Sequence, residues 1–332
     1  MNVAVVGAGD WGKNLIRNFY KISNLVGICD NNQIVAEQIA LQYQVKNLSW
    51  QQILLSREID AVVIANNRSH YQLTKEALLA NKHVFVEKPL APTVEQAEDL
   101  CSLAVQFNKK LMVGHLLQYH PAFIELKKIC NNQAAGEIRY VYSNRLAFGK
   151  FMPEENVILN FASHDISMML ALMGKPTSVN TFANCFLMNN IVDQATLRLQ
   201  FSSQQYGHIF VSWFHPVKER KFVVIGSRAM VVFDDLAGWE HKLCIYHHKV
   251  DINDNNVVLN NLDPEFIKLE NHNEPLFNEA THFIKCIEQN LIPYTDGAES
   301  LEVLKIVEQA STYNQLKSKQ ENLIENSIFA GI

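Results

Sequence analysis

Eight residues near the start, VVGAGDWG, constrain the fold more than any other stretch. Gly7, Gly9 and Gly12 stand in the spacing GxGxxG. They follow NVAVV, an apolar run without polar alternation, which reads as a strand covered on both faces. Trp11, Leu15, Ile16 and Phe19 then recur at helical spacing. Strand, glycine turn and helix in that order form a cradle for a pyrophosphate. Gly7 permits the tight turn, Gly9 lets the backbone approach the ligand, and Gly12 lets helix and strand pack closely. The helix start offers N–H groups to the anion. Asp30 ends the next strand, NLVGICD, 18 positions after Gly12, where a carboxylate accepts from the adenosine ribose hydroxyls. A carboxylate there repels a 2′-phosphate, and Asn31 and Asn32 bring no arginine to offset it. The pattern therefore favours NAD over NADP.

Strand and helix patterns keep alternating to about residue 120: QIVAEQIALQY, IDAVVIA, SHYQLTKEALLA, KHVFVE, TVEQAEDLCSLAVQF and KKLMVGH. Alternation of this kind implies parallel βαβ units. Beyond PAFIELKKICN the pattern changes to strand-like runs such as EIRYVYSNRLAFG, DQATLRLQFS and KFVVIG, with one helix at SHDISMMLALMG and two more at the end. The expected fold class is α/β: an N-terminal Rossmann doubly wound parallel sheet plus a C-terminal α+β domain with a large, mostly antiparallel sheet. The expected boundaries are 1–120 for the NAD-binding domain and 121–332 for a substrate-binding and oligomerisation domain. The Asn/Asp-rich segment HKVDINDNNVVLNNLDPE reads as an excursion loop.

The formal net charge of −5, with no basic cluster, excludes a nucleic-acid footprint. No apolar run approaches the ~20 residues that span a bilayer, so no membrane partner is expected. The six cysteines form no CxxC and read as reduced thiols of a cytoplasmic protein. The twelve histidines form no metal-ligand spacing, and no metal is expected.

In HVFVEKPLAP, an apolar strand stops on a charged pair, Glu87 and Lys88, followed by Pro89. Ligands of doubly wound sheets sit beyond the carboxyl ends of the strands, so this pair, together with Asn66, faces a ligand. Taken with GAGDWG, GHLLQYHPA and SHDIS, it resembles the Gfo/Idh/MocA family of oxidoreductases over nearly the whole chain. The resemblance implies that Lys88 contacts the reacting hydroxyl, that Pro89 follows a cis bond, and that His164 belongs to a second motif. That motif has an Asp four residues before its His; here the position is Asn160, which orients a hydroxyl but takes no proton.

Catalytic candidates are thus Lys88 and His164. Cofactor-binding candidates are Gly7, Gly9, Asp10, Trp11, Gly12, Asp30, Asn66, His70 and Glu87. Substrate-binding candidates are Lys88, His115, Asn144, Arg145, Asn160 and His164, with Lys150, Lys218 and Arg220 available to a diphosphate. An imidazole has a pKa suited to removing the hydroxyl proton, and an ammonium stabilises the alkoxide that forms. His164 is assigned as base and Lys88 as its partner, and the two roles are exchangeable.

Segments such as SNRLAFGK and SWFHPVKERKFVVIG are similar to the family's nucleotide-sugar branch. That implies oxidation at C3 of UDP-N-acetylglucosamine or of its uronate, an aminotransferase acting on the product in lipopolysaccharide synthesis, and a homo-dimer or homo-tetramer. A non-catalytic nucleotide sensor on the same fold would keep the glycine loop and Asp30 but would need neither Lys88 nor His164.

Overall fold

The structure, a computed structural model, describes residues 1–65, 69–149, 151–152, 155–188, 190–202, 204–247, 250–253, 256–259 and 263–311. Its first compact unit comprises Met1–His120 and Asn273–Leu304; the second comprises Pro121–His272 and the described residues from Lys305. The break at residue 120 coincides with the expected boundary. The return of residues 273–304 to the first unit departs from the expectation that everything after 120 forms one domain.

The first unit has a parallel sheet in the order β3-β2-β1-β4-β5-β6 among the described residues. Its strands are β1 (Asn2–Val6), β2 (Asn24–Cys29), β3 (Lys46–Asn47), β4 (Ala61–Ile64), β5 (His83–Glu87) and β6 (Leu111–Gly114). The helices between them are α1 (Asp10–Ile22), α2 (Gln33–Tyr43), α3 (Trp50–Leu55), α4 (His70–Leu79) and α5 (Val94–Gln106). Both β3 and α3 went unread in the sequence: β3 is two residues long, and α3 is a six-residue helix set by the capping box of Ser49 and Gln52.

Side chains alternate across these strands, so each strand feeds two cores. Ala4, Val6, Val62, Ile64, Val84 and Val86 pack with Ile53, Ala77, Leu78, Leu100 and Leu304. Val3, Val5, Val63, Phe85 and Met112 pack with Leu15, Ile16 and Phe19 of α1. The same core takes Leu276, Ala280, Phe283 and Ile284 of a late helix, α8 (Pro275–Glu288). This explains the return of the late segment: α8 carries an apolar stripe that completes the face opened by α1. Phe85 meets Phe283 and Phe19 edge-on at 5.8 Å each, and Phe19 meets Phe283 at 6.2 Å.

In the second unit α6 (Pro121–Asn131) and α7 (Ser163–Met173) pack on a sheet ordered β16-β13-β12-β11-β7-β10-β9-β8 among the described residues. Its strands are β7 (Ile138–Phe148), β8 (Ser178–Asn184), β9 (Gln194–Ser202), β10 (Gln205–Ser212), β11 (Phe214–Gly226), β12 (Ala229–Asp234), β13 (Leu243–His247) and β16 (Glu265–Phe266). All pairs are antiparallel except β7–β10. The expected excursion loop contains instead a small hairpin, β14 (Val250–Asn253) with β15 (Asn256–Leu259); the Asn/Asp-rich composition of the segment hid two short apolar runs. No helix among the described residues is long and apolar enough to cross a membrane.

If α8 closes the first core, Phe283→Ala costs about 3–5 kcal/mol, measured by chemical denaturation. A loss near zero would mean that α8 lies on a core already closed.

Candidate active site

In the first unit the glycine turn is built as its spacing requires. Gly7 has φ 98°, where a side chain is strained. A Cβ on Gly12 would sit 2.1 Å from the Gly7 carbonyl oxygen, whereas one on Gly9 would meet nothing within 4 Å. Gly9 is the N-cap of α1 and offers no side-chain cap, so the first-turn N–H groups face an open cradle. Asp30 is fixed at its rim: the Ala8 N–H donates to Oδ2 at 2.6 Å and the Asn32 N–H to Oδ1 at 2.8 Å. A carboxylate has about four acceptor positions, which leaves room for ribose hydroxyls. This cradle fits a dinucleotide, held by the α1 N-terminus, Gly9 and Asp30. Asp10 is the first, exposed residue of α1. Asn66 lies outside the described residues.

The charged pair sits at the carboxyl end of β5. The Lys88–Pro89 bond is cis. His70 is buried, and its Nδ1–H donates to the Pro89 carbonyl at 2.6 Å, so it holds the turn that follows Lys88. Lys88 is half-buried, and its charge bears on two neighbours. His115, buried after β6, is pushed down to about 3, chiefly by burial and further by Lys88, so its imidazole is neutral. Glu87 is pushed up to about 7 by burial, against the Trp11 side-chain hydrogen bond and Lys88. Gly114, paired with Glu87 across the sheet, makes room for it: a Cβ there would lie 2.9 Å from Oε2.

In the second unit α7 crosses β10 so closely that a Cβ on Gly207 would lie 2.7 Å from Met169 Sδ. One turn earlier on α7, Asp165 is fully buried and accepts from Ser143 Oγ at 2.6 Å, Arg145 Nε at 2.8 Å and Arg145 Nη2 at 3.0 Å. Burial disfavours the charge on Arg145, but Asp165 outweighs it and the guanidinium stays charged. Arg145 therefore anchors the start of α7, where His164 stands, and its side chain is committed there. Two of its nitrogens, Nε and Nη2, are thus already engaged by Asp165.

Period-two alternation turns Asn144, the neighbouring candidate on β7, to the opposite face of the sheet from Arg145, where its Nδ2 donates to Glu219 at 3.0 Å. The β7 pattern was legible in the sequence; which face α7 covers was not. Arg220 is paired with Asp235 at 3.3 Å, and Lys150 lies outside the described residues.

Asn160 lies in a π-helical turn, Ile158–Ala162, that runs into α7. Such turns often mark functional sites. Its Nδ2 donates to Glu155 Oε2 at 2.9 Å and contacts Met152 Sδ at 3.3 Å. The sequence reading missed Glu155. It places a carboxylate against the position where the related motif has one of its own, and it lies ahead of the π-helical turn, five residues before Asn160.

Residues 1–115 match an oxidoreductase family described by its NAD-binding Rossmann fold, and residues 123–232 match the Gfo/Idh/MocA C-terminal domain. Among curated proteins the chain is 29% identical over 178 residues to UDP-N-acetylglucosamine 3-dehydrogenase of Acidithiobacillus ferrooxidans, covering 52% of this chain and 55% of that protein. It is 28% identical over 203 residues to D-glucoside 3-dehydrogenase of Escherichia coli, covering 56% and 58%. The chain thus spans about half the length of the curated relatives it matches.

Among solved structures, the Acidithiobacillus ferrooxidans enzyme superposes with a TM-score of 0.81 at 24% identity, over 94% of this chain and 97% of that one. An Agrobacterium radiobacter oxidoreductase in complex with NAD+, L-tartaric acid and magnesium gives 0.76 at 15%, over 94% and 96%. At these identities the structures establish a shared fold.

Two outcomes follow from the geometry. Asp165→Asn weakens a buried pair and leaves Arg145 short of a counter-charge, at a cost of about 3–5 kcal/mol, read by denaturation; a negligible loss would show that Arg145 is not confined to Asp165. Glu87 has a folded pKa raised above its unfolded one, so its contribution to stability is full below about pH 4 and is lost as pH rises through about 7. The melting temperature of the cofactor-free protein therefore falls across that window, and Glu87→Gln flattens the fall. An unchanged slope in that variant would assign the window to another group.

Proposed function

The chain belongs to the Gfo/Idh/MocA oxidoreductase family, and from that premise we propose that it uses NAD to oxidise the C3 hydroxyl of UDP-N-acetylglucosamine to the 3-keto sugar. The observation that carries the reading is the presence of both polar partners of an alcohol oxidation on rigid elements. Lys88 stands at the end of β5, in the unit with the dinucleotide cradle, and His164 stands on the first turn of α7, anchored through Asp165. A nucleotide sensor needs neither. The similarity to a UDP-N-acetylglucosamine 3-dehydrogenase supports the choice of sugar.

The α1 N-terminus, Gly9 and Asp30 would hold NAD, which would supply the hydride acceptor for C3. His164 takes the hydroxyl proton, and Lys88 stabilises the alkoxide as it forms. The exchanged assignment, with Lys88 as base, needs the same two groups. Asn160 orients the hydroxyl and is itself held by Glu155. Arg145 is spent on Asp165 and Arg220 is paired with Asp235, which leaves fewer cations for a C6 carboxylate. This supports the hydroxymethyl sugar over its uronate. Lys218, exposed on β11, is assigned to the diphosphate. The product is a ketone suited to an aminotransferase. Self-association as a dimer or tetramer is assigned to the apolar strands β10 and β11.

Turnover with NAD and each sugar, followed as NADH absorbance with an aminotransferase to remove the ketone, tests the reading. UDP-N-acetylglucosamine is expected to turn over, with kcat/KM reduced at least about 10²-fold in Lys88→Ala and in His164→Ala. Turnover of the uronate alone would move the assignment to that sugar. NAD binding without turnover of either would end it in favour of a sensor.

A further inference from the structure

Glu279 of α8 is a fully buried carboxyl, and neither of its oxygens has a hydrogen-bond partner among the described residues. An ionised carboxylate in that position would bear the full cost of desolvation, and the cheaper state is the neutral acid. A neutral acid still carries an O–H that needs an acceptor.

The packing points to one. Phe283 lies one turn after Glu279 on α8 and rests on Phe85. Glu87 follows Phe85 by two residues and so shares its face of β5. Asn278, next to Glu279, donates from Nδ2 to the Tyr119 carbonyl beyond the end of β6 at 3.1 Å, and the charge of Glu87 bears on Glu279, so the two carboxyls lie near one another toward the cofactor end of the sheet. Glu87 Oε1 is also buried without a donor among the described residues. The Trp11 side chain and the Lys88 backbone N–H both bond to Glu87, and neither reaches Oε1.

Other neighbours do not supply the missing proton. Thr295 Oγ1 donates to the Val113 carbonyl at 2.8 Å, so the Tyr119 hydroxyl, 3.0 Å from Thr295 Oγ1, spends its proton there. The His115 Nε2 lies 4.0 Å from Glu299, beyond hydrogen-bond range, and Glu299 accepts from Gln118 Nε2 at 3.0 Å. The Cys286 thiol is set against His282 Nε2 at 3.3 Å. No group of three or more His, Cys, Asp or Glu that could hold a metal ion occurs among the described residues.

We propose that Glu279 is a positioning residue for the cofactor end of β5, a neutral carboxylic acid whose O–H donates to Glu87 Oε1, directly or through one water. Glu87, held from α8 on one oxygen and from Trp11 and the Lys88 backbone on its other side, then fixes where β5 ends and where Lys88 begins. The direction of both shifts agrees: burial raises Glu279 well above its ordinary range, and the charge of Glu87 raises it further. Above about pH 7 the pair thus carries one charge and one proton. The charged and titratable groups that bear on it are Lys88 beside Glu87 and Tyr119 beside Glu279, with His115 next to Lys88 and Cys286 next to Tyr119. The inference rests on the cofactor reading of the first unit and is independent of which sugar is oxidised.

The test uses the full chain and needs no sugar. Infrared spectroscopy at about pH 8, where an ordinary glutamate is ionised, is expected to show a protonated carboxylic acid band in the unaltered protein, lost in Glu279→Gln. Calorimetric titration with NAD is expected to show about tenfold weaker binding in Glu279→Leu, the worth of one hydrogen bond to a charged group. Glu279→Gln, whose amide still donates, restores the affinity and abolishes its decline at alkaline pH. Absence of the band overturns the proposal. So does unaltered NAD affinity in a folded Glu279→Leu protein. Should that variant not fold, an alkaline decline as steep in Glu279→Gln as in the unaltered protein has the same force.

Discussion

The burial of β5 on both faces is the constraint from which the first half of the site follows. Val84 and Val86 point into one core and Phe85 into the other. A strand enclosed in this way cannot carry charge along its length, because neither face offers water or a partner. Polar groups can appear only where the strand leaves the sheet, and there Glu87, Lys88 and the His70-held turn occur together. In a parallel sheet that exit is also where the glycine turn and Asp30 stand, since every strand runs the same way. Hydrophobic burial thus gathers the polar chemistry at one edge.

The second unit solves a different problem, that of placing a half-buried histidine reproducibly. A helix resting on a sheet through apolar contacts alone can slide. Asp165 prevents this by taking three hydrogen bonds from two residues on one face of β7, one pair of them in the bidentate geometry special to arginine. His164 precedes Asp165 directly, so the register of α7 on β7 is also the register of the imidazole. Seen this way, Arg145 serves the reaction by holding the framework on which the imidazole stands.

Much of the fold was legible because its signals are local. The glycine spacing, the continuous apolar strands and the Thr93 cap, whose side chain accepts from the Gln96 N–H, each lie within a few residues of one another. Elements that are too short to show a period, β3, α3 and the β14–β15 hairpin, escaped for the same reason. In the candidate site the individual residues Asp30, Lys88, Asn160 and His164 were identifiable from motif and resemblance. Their partners were not: Glu155 is recognisable only once the segment before α7 folds back to bring its carboxylate against Asn160, and Arg145 and Asn144 look equivalent until the covered face of β7 is known.

The sequence by itself determined the cradle, the strand that ends on Glu87 just before Lys88, and the helix whose first turn carries His164, because each depends on hydrogen bonding and side-chain direction within a short segment. Only the tertiary structure decided that residues 273–304 return to the first unit, bringing Glu279 of α8 into the core that holds Phe85, and that Arg145 belongs to Asp165. The physical reason is the same in both cases. A carboxyl or a guanidinium takes its charge state and its role from whatever surrounds it after burial, and those surroundings come from segments 20 to nearly 200 residues away along the chain.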